Sequence, residues 1–170
     1  MPRVAGSNLG DRFIEFLALD AVIGHLEEHN WNWKVNKKRN EKGFDLTASK
    51  GEKDFKIEVK GRSIGEYSGI INDSGGQKKD PQRFFNFSVS QYEIGDFFVS
   101  VFVSPLTRKC VVVPKRDFDS LVTSRITPFR MAFSVNTELE VKRVKKWKDG
   151  RSLDISRFIE GWQLLDEQRT

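Results

Sequence analysis

Cysteine is almost absent from this chain: Cys110 stands alone, inside the apolar run CVVVP. One thiol excludes an intrachain disulfide and a cluster of thiolate ligands, and leaves Cys110 as a small core residue. Long hydrophobic runs are missing as well. No stretch approaches the roughly 20 apolar residues that span a bilayer, and the N-terminus MPRVAGSNLGDRF lacks the apolar centre of a signal peptide. No membrane association and a cytoplasmic location are therefore expected. There is no internal repeat and no low-complexity tract, and tyrosine is scarce, 2 residues against 14 phenylalanines. With 38% hydrophobic and 31% charged residues, the balance is that of a soluble globular protein with a phenylalanine-rich interior. At 170 residues the chain is long enough for one good core and too short for two, so a single domain over 1–170 is expected.

Charge of one sign does not dominate. Lysine and arginine number 29 against 24 acids, a net +5, which suits an anionic partner without demanding one. The basic residues are clustered: Lys37, Lys38, Arg39 and Lys42 form one group, and Lys142, Arg143, Lys145, Lys146, Lys148 and Arg151 surround Trp147. Each group reads either as a solvated face or as a grip on nucleic acid, with Trp147 stacking on a base or anchoring a hairpin.

The periodicity predicts a helix from Asp11 to about His29, with Asn8 or Asp11 as N-cap. Glu15 shares a helical stripe with Leu19, Val22 and Leu26, which puts a carboxylate on an apolar face, where it needs a partner. His25 and His29, four residues apart, share a face as well; with no third ligand beside them they read as exposed or capping histidines. WNWKV, Trp31 to Val35, alternates as a short strand. FDLTA and FKIEVKG follow, joined by the turn SKGEKD, and predict an antiparallel hairpin with Phe55, Ile57 and Val59 on one face and Lys56, Glu58 and Lys60 on the other. From Gly61 to about Arg83 periodicity is lost, and a long functional loop is expected.

Three β-rich runs come next, FFNFSVS, DFFVSVFVS and KCVVVPK, the second and third apolar on both faces and so expected in the middle of a sheet. PKRDFDSLV reads as a short helix, FRMAFSV as a strand and SLDISRFIEGWQLLDEQ as an amphipathic helix weakened by Gly161. The pattern predicts an α/β or α+β layer fold, a mixed β-sheet flanked by helices, with α/β preferred.

Asp45 and Glu58 are then cross-strand neighbours, within about 5 Å at Cβ, close enough for both carboxylates to share a cation. A hard divalent ion such as Mg²⁺ takes such oxygen ligands, and the carbonyl of Val59 offers one more. Lys60 leaves the same face as Glu58, roughly 6 to 7 Å along the strand, so its ammonium reaches a water or phosphate beside the metal without displacing a ligand.

Asp45 in GFDL, residues 46–57 after it, and IEVKG with Glu58, Val59 and Lys60 resemble the signature of the PD-(D/E)XK nuclease superfamily, which includes restriction endonucleases and Holliday-junction resolvases. Phe44 stands where the superfamily's name has proline. The resemblance implies a restriction-endonuclease-like fold and a metal-dependent endonuclease acting on DNA. Asp45 and Glu58 would hold Mg²⁺, or Mn²⁺ in its place, Lys60 would activate water, and Glu15 would be a further acid on the preceding helix. Arg62, Lys78, Lys79, Arg83 and Gln91 become candidates for contact with nucleic acid, and double-strand cleavage implies a homodimer. Two other readings stand beside it: a catalytically inactive module of the same fold that binds nucleic acid or protein, and a toxin, immunity or defence protein acting through a protein partner.

Overall fold

The structure, a computed structural model, describes residues 7–36, 44–63, 83–89, 95–104, 107–118, 129–135, 140–143 and 154–168. Helix α1, Ser7–Glu28, opens the described chain. It ends where Asn30 takes a left-handed backbone, φ 60°, so that the Trp31 N–H bonds back to the Leu26 carbonyl and the Asn30 N–H to Glu27. That pair of bonds satisfies two of the last carbonyls of the helix and turns the chain into β1, Asn32–Val35. Trp31, expected in the strand, is 3% exposed and belongs to the core beneath it.

β2, Leu46–Lys50, and β3, Lys53–Ser63, form the expected antiparallel hairpin, in a register that sets Leu46 against Ile57 and Lys50 against Lys53. Gly51 supplies the positive φ of 61° that the tight turn needs. β3 is longer than the alternation of FKIEVKG suggested: residues 61–63, expected in a loop, pair with β5, Phe97–Val103. Pairing with a buried parallel neighbour, not side-chain pattern, extends the strand. The rest of the expected loop, residues 64–82, lies outside the described residues.

The main sheet has the order β1-β2-β3-β5-β6, with β6 at Arg108–Pro114. It is mixed, since β3 and β5 run parallel and the other pairs antiparallel. This is the α/β class expected from the sequence. β5 is buried along its whole length, as its apolar run requires. β6 is equally apolar but ends the sheet order instead of lying inside it. Its outer edge is closed by the C-terminal segment: Val111 bridges Ile159, and the Glu160 N–H donates to the Cys110 carbonyl, 2.8 Å. Cys110 is fully buried, and burial together with the charge of Glu160 pushes its thiol up, keeping it neutral.

That segment is not the continuous helix its apolar spacing predicts. A 3-10 turn at Ser156–Phe158 and a short helix α2, Gln163–Glu167, flank a break. At the break Glu160 has φ 50°, and a Cβ on Gly161 would come within 2.5 Å of the Arg157 carbonyl. Closing the β6 edge with backbone has displaced the helix. The helix expected over PKRDFDSLV begins as a 3-10 turn at Lys115–Asp117, and residues 119–128 lie outside the described residues.

α1 lies on one face of the sheet. Contact is so close that a Cβ on Gly61 would stand 2.8 Å from Ala18 Cβ and 3.0 Å from the Ile14 carbonyl. Glycine is required here by proximity. Ala18, Val22 and Leu26 form the fully buried stripe of the helix. The other face meets a second sheet of order β4-β7-β8, with β4 at Arg83–Val89, β7 at Phe129–Val135 and β8 at Val141–Arg143. Phe133 of β7 meets Phe102 of β5 edge-on, ring centroids 6.2 Å apart. Each face of the main sheet therefore carries a packed element, α1 on one and β7 on the other.

Candidate functional site

Asp45 sits at the bend entering β2, tied on both sides through its backbone: its N–H donates to the Ile57 carbonyl and its carbonyl accepts from the Asn36 N–H, both at 2.8 Å. Its carboxylate turns onto β3, where Oδ2 accepts the Val59 N–H at 2.7 Å. Three strands thus fix one acid. The register that pairs Leu46 with Ile57 leads, one step further, to Asp45 beside Glu58.

Glu58 is 6% exposed. The alternation of FKIEVKG placed it on a polar face, and that face is buried here. Its carboxylate is partnered: Lys60 Nζ lies 2.7 Å from Oε1. The two side chains leave the same face of β3, as the spacing required, while Gly61, of opposite parity, faces α1. Across the parallel pairing Lys60 stands beside Ser100, a fully buried residue whose Oγ has no hydrogen-bond partner among the described residues.

Glu15 is exposed, a correction to its expected burial on the apolar face. The turn that carries Glu15 still packs on the sheet, through Ile14 against Gly61; the packed line runs Ile14, Ala18, Val22 and Leu26, and Glu15 stands one residue round the helix from it. That flank looks into an open cleft of about 420 Å³ lined by Arg12, Glu15, Phe16, Leu19, Val35, Asn36, Phe44, Asp45, Val59 and Lys60. The cleft brings together Glu15, Asp45 and Lys60, three of the four acid and base candidates. Glu58 does not line it and is linked to it through Lys60. Val59 carries the Asp45 carboxylate on its amide.

Arg12 and Asn36 were not anticipated. Arg12 lies one turn before Glu15, a signal the sequence did hold. Asn36 is placed by pairing of β1 with β2, which no local pattern announces.

Among the nucleic-acid candidates, Arg62 is half-buried, with Nη1 donating to the Gly61 carbonyl at 2.9 Å. Arg83 begins β4 and Lys142 and Arg143 end β8, all three with side chains outside the described residues; Lys78, Lys79, Gln91 and the rest of the Trp147 cluster lie outside them altogether. His29 caps, its Nδ1–H donating to the His25 carbonyl at 2.8 Å, whereas His25 turns toward Glu160 and stacks on Trp162. No helix among the described residues is long and apolar enough to cross a membrane.

No protein-family model matches the chain, and no curated protein matches it. Among solved structures it is similar to the bacterial homing endonuclease I-Ssp6803I, with 17% identity and a TM-score of 0.47 over 92% of this chain and 93% of that one. It is also similar to MepB, with 12% identity and a TM-score of 0.28 over 78% and 81%. Both scores are low, and function is read from the residues of this chain.

Proposed function

We propose that the chain is a metal-dependent endonuclease that hydrolyses phosphodiester bonds of DNA. The observation that carries this reading is the joining of GFDL to IEVKG in one hairpin register, with the Lys60 ammonium 2.7 Å from the Glu58 carboxylate and the Asp45 carboxylate bound to the amide between them. The donors on offer from Asp45, Glu58 and Glu15 are all carboxylate oxygens, the set that Mg²⁺ or Mn²⁺ takes. Asp45 and Glu58 would hold the ion, with Glu15 and the Val59 carbonyl in support. When bound, it supplies positive charge that polarises a phosphoryl oxygen and acidifies water.

The side chains of the protein do the rest. Asp45 is oriented before substrate arrives, because three strands hold its backbone and its carboxylate. Lys60, steadied by Glu58 and open to the cleft, orients the attacking water and offsets the negative charge that develops on the phosphoryl group. Arg12, on the helical wall of the same cleft, is positioned for a phosphate oxygen. Cutting both strands of a duplex calls for two such centres, so a homodimer belongs to the proposal.

The test is cleavage of supercoiled plasmid by the purified chain with Mg²⁺ and with Mn²⁺, beside Glu58→Ala and Lys60→Ala. Conversion to nicked or linear DNA by the wild type alone, abolished by EDTA, supports the reading. Equal cleavage by all three, or none by any, refutes it and leaves a binding module of the same fold.

A further inference from the structure

We propose that His25, Cys110 and Glu160 form a separate cation site, for one zinc-type divalent ion, none of whose residues lines the Asp45 cleft. It does not rest on the nuclease reading. The three residues come from distant places: the last turn of α1, the middle of β6, and the turn that closes the β6 edge. Their ligand atoms all lie within 4.8 Å of one another. Tetrahedral zinc, with bonds of about 2.0 to 2.3 Å, sets its ligand atoms about 3.3 to 3.8 Å apart, so the widest pair needs to close by at most roughly 1 to 1.5 Å. His25 Nε2 and Glu160 Oε2 already stand 3.5 Å apart.

The groups around the cluster hold its ligands in place. Glu160 Oε1 accepts the Cys110 N–H at 2.7 Å and Oε2 accepts the Trp162 indole N–H at 3.2 Å. The His25 ring stacks on Trp162 with centroids 4.8 Å apart, and its Nδ1 lies 3.4 Å from Glu28 Oε2. A carboxylate on the far nitrogen is the partner a metal-binding histidine uses to fix its tautomer. Glu160 adopts a left-handed backbone, φ 50°, unusual for a residue with a side chain, and this conformation directs its carboxylate back onto β6. Cys110 is buried, while the side chains of His25 and Glu160 are 31% and 35% exposed. An ion has a way in from that side, and a water can complete its shell. Imidazole, thiolate and one carboxylate favour zinc over magnesium or calcium. Bound there, the ion ties the C-terminal segment to α1 and the sheet.

Cobalt(II) alone, then zinc(II) alone, would be titrated into the metal-free chain under a phosphine reductant. The expected result is one cobalt per chain with a thiolate-to-cobalt charge-transfer band in the near ultraviolet, displaced by zinc. Zinc at about a hundredfold above its Kd should raise Tm by roughly 5 to 10 °C. Cys110→Ser abolishes the band, and His25→Ala, compared at matched folded fraction, weakens zinc binding at least about tenfold. Asp45→Asn retains both signals, which separates this site from the cleft. A wild type with neither band nor Tm rise, or a zinc-induced rise of equal size in Cys110→Ser, overturns the proposal.

Discussion

The last turns of α1 are held by much of the molecule around them. Leu26 is fully buried, His25 stacks on Trp162, and the His29 carbonyl accepts from Lys50 Nζ, which also pairs with Asp166 of α2 at 2.9 Å. Near its start the same helix carries Phe13 and Phe16 at 60% and 64% exposure, and beside its packed line Glu15 faces an open cleft. One end is anchored by packing; the other packs through Ile14 and, one residue round the axis, presents charge to a space that a ligand can fill. A single helix serves both purposes, with angular position about its axis deciding where burial stops and chemistry begins.

The comparison breaks most sharply at the anchored end. Leu26→Ala should cost about 2 to 5 kcal/mol in urea unfolding, through lost burial and the cavity left behind. At the junction of the two regions, Gly61→Val forces a side chain into Ala18 and the Ile14 carbonyl, and should cost about 1 to 3 kcal/mol. On the nuclease reading it also lowers cleavage, since α1 carries Glu15. Glu160→Ala, measured without metal, strips the Cys110 N–H and the Trp162 indole of their acceptor and should cost about 1 to 2 kcal/mol. The smallest effect on stability belongs to the open end: Glu15→Gln should stay within about 0.5 kcal/mol of the wild type. It should nonetheless slow cleavage about 10- to 100-fold if Glu15 supports the metal. Equal stability losses for Leu26→Ala and Glu15→Gln would erase the distinction between the ends.

Much of this was legible in the residues. Strict alternation in FKIEVKG, with Gly51 in the turn, is a local signal, and it located the hairpin and the shared face of Glu58 and Lys60. The stripe through Glu15, Val22 and Leu26 was equally local. What the stripe could not tell is which of its flanks the sheet covers: the packed line runs through Ile14 and Ala18, and Glu15 falls beside it. Burial of Glu58 was hidden because a polar face reads as solvent-facing whatever tertiary packing later does to it. The C-terminal helix failed where backbone pairing with β6 overrode an apolar spacing that Gly161 already weakened. The meeting of His25, Cys110 and Glu160 depends on three long-range contacts and leaves no local trace.

On the proposed function, Asp45, fixed by three strands against the amide of Val59, is part of a working phosphodiesterase centre. That role is tested most directly by the rate of Mg²⁺-dependent plasmid cleavage for Asp45→Asn against the wild type, compared at matched folded fraction. A loss of about 10²- to 10³-fold is the result predicted. A variant that cuts within about twofold of the wild type would contradict it.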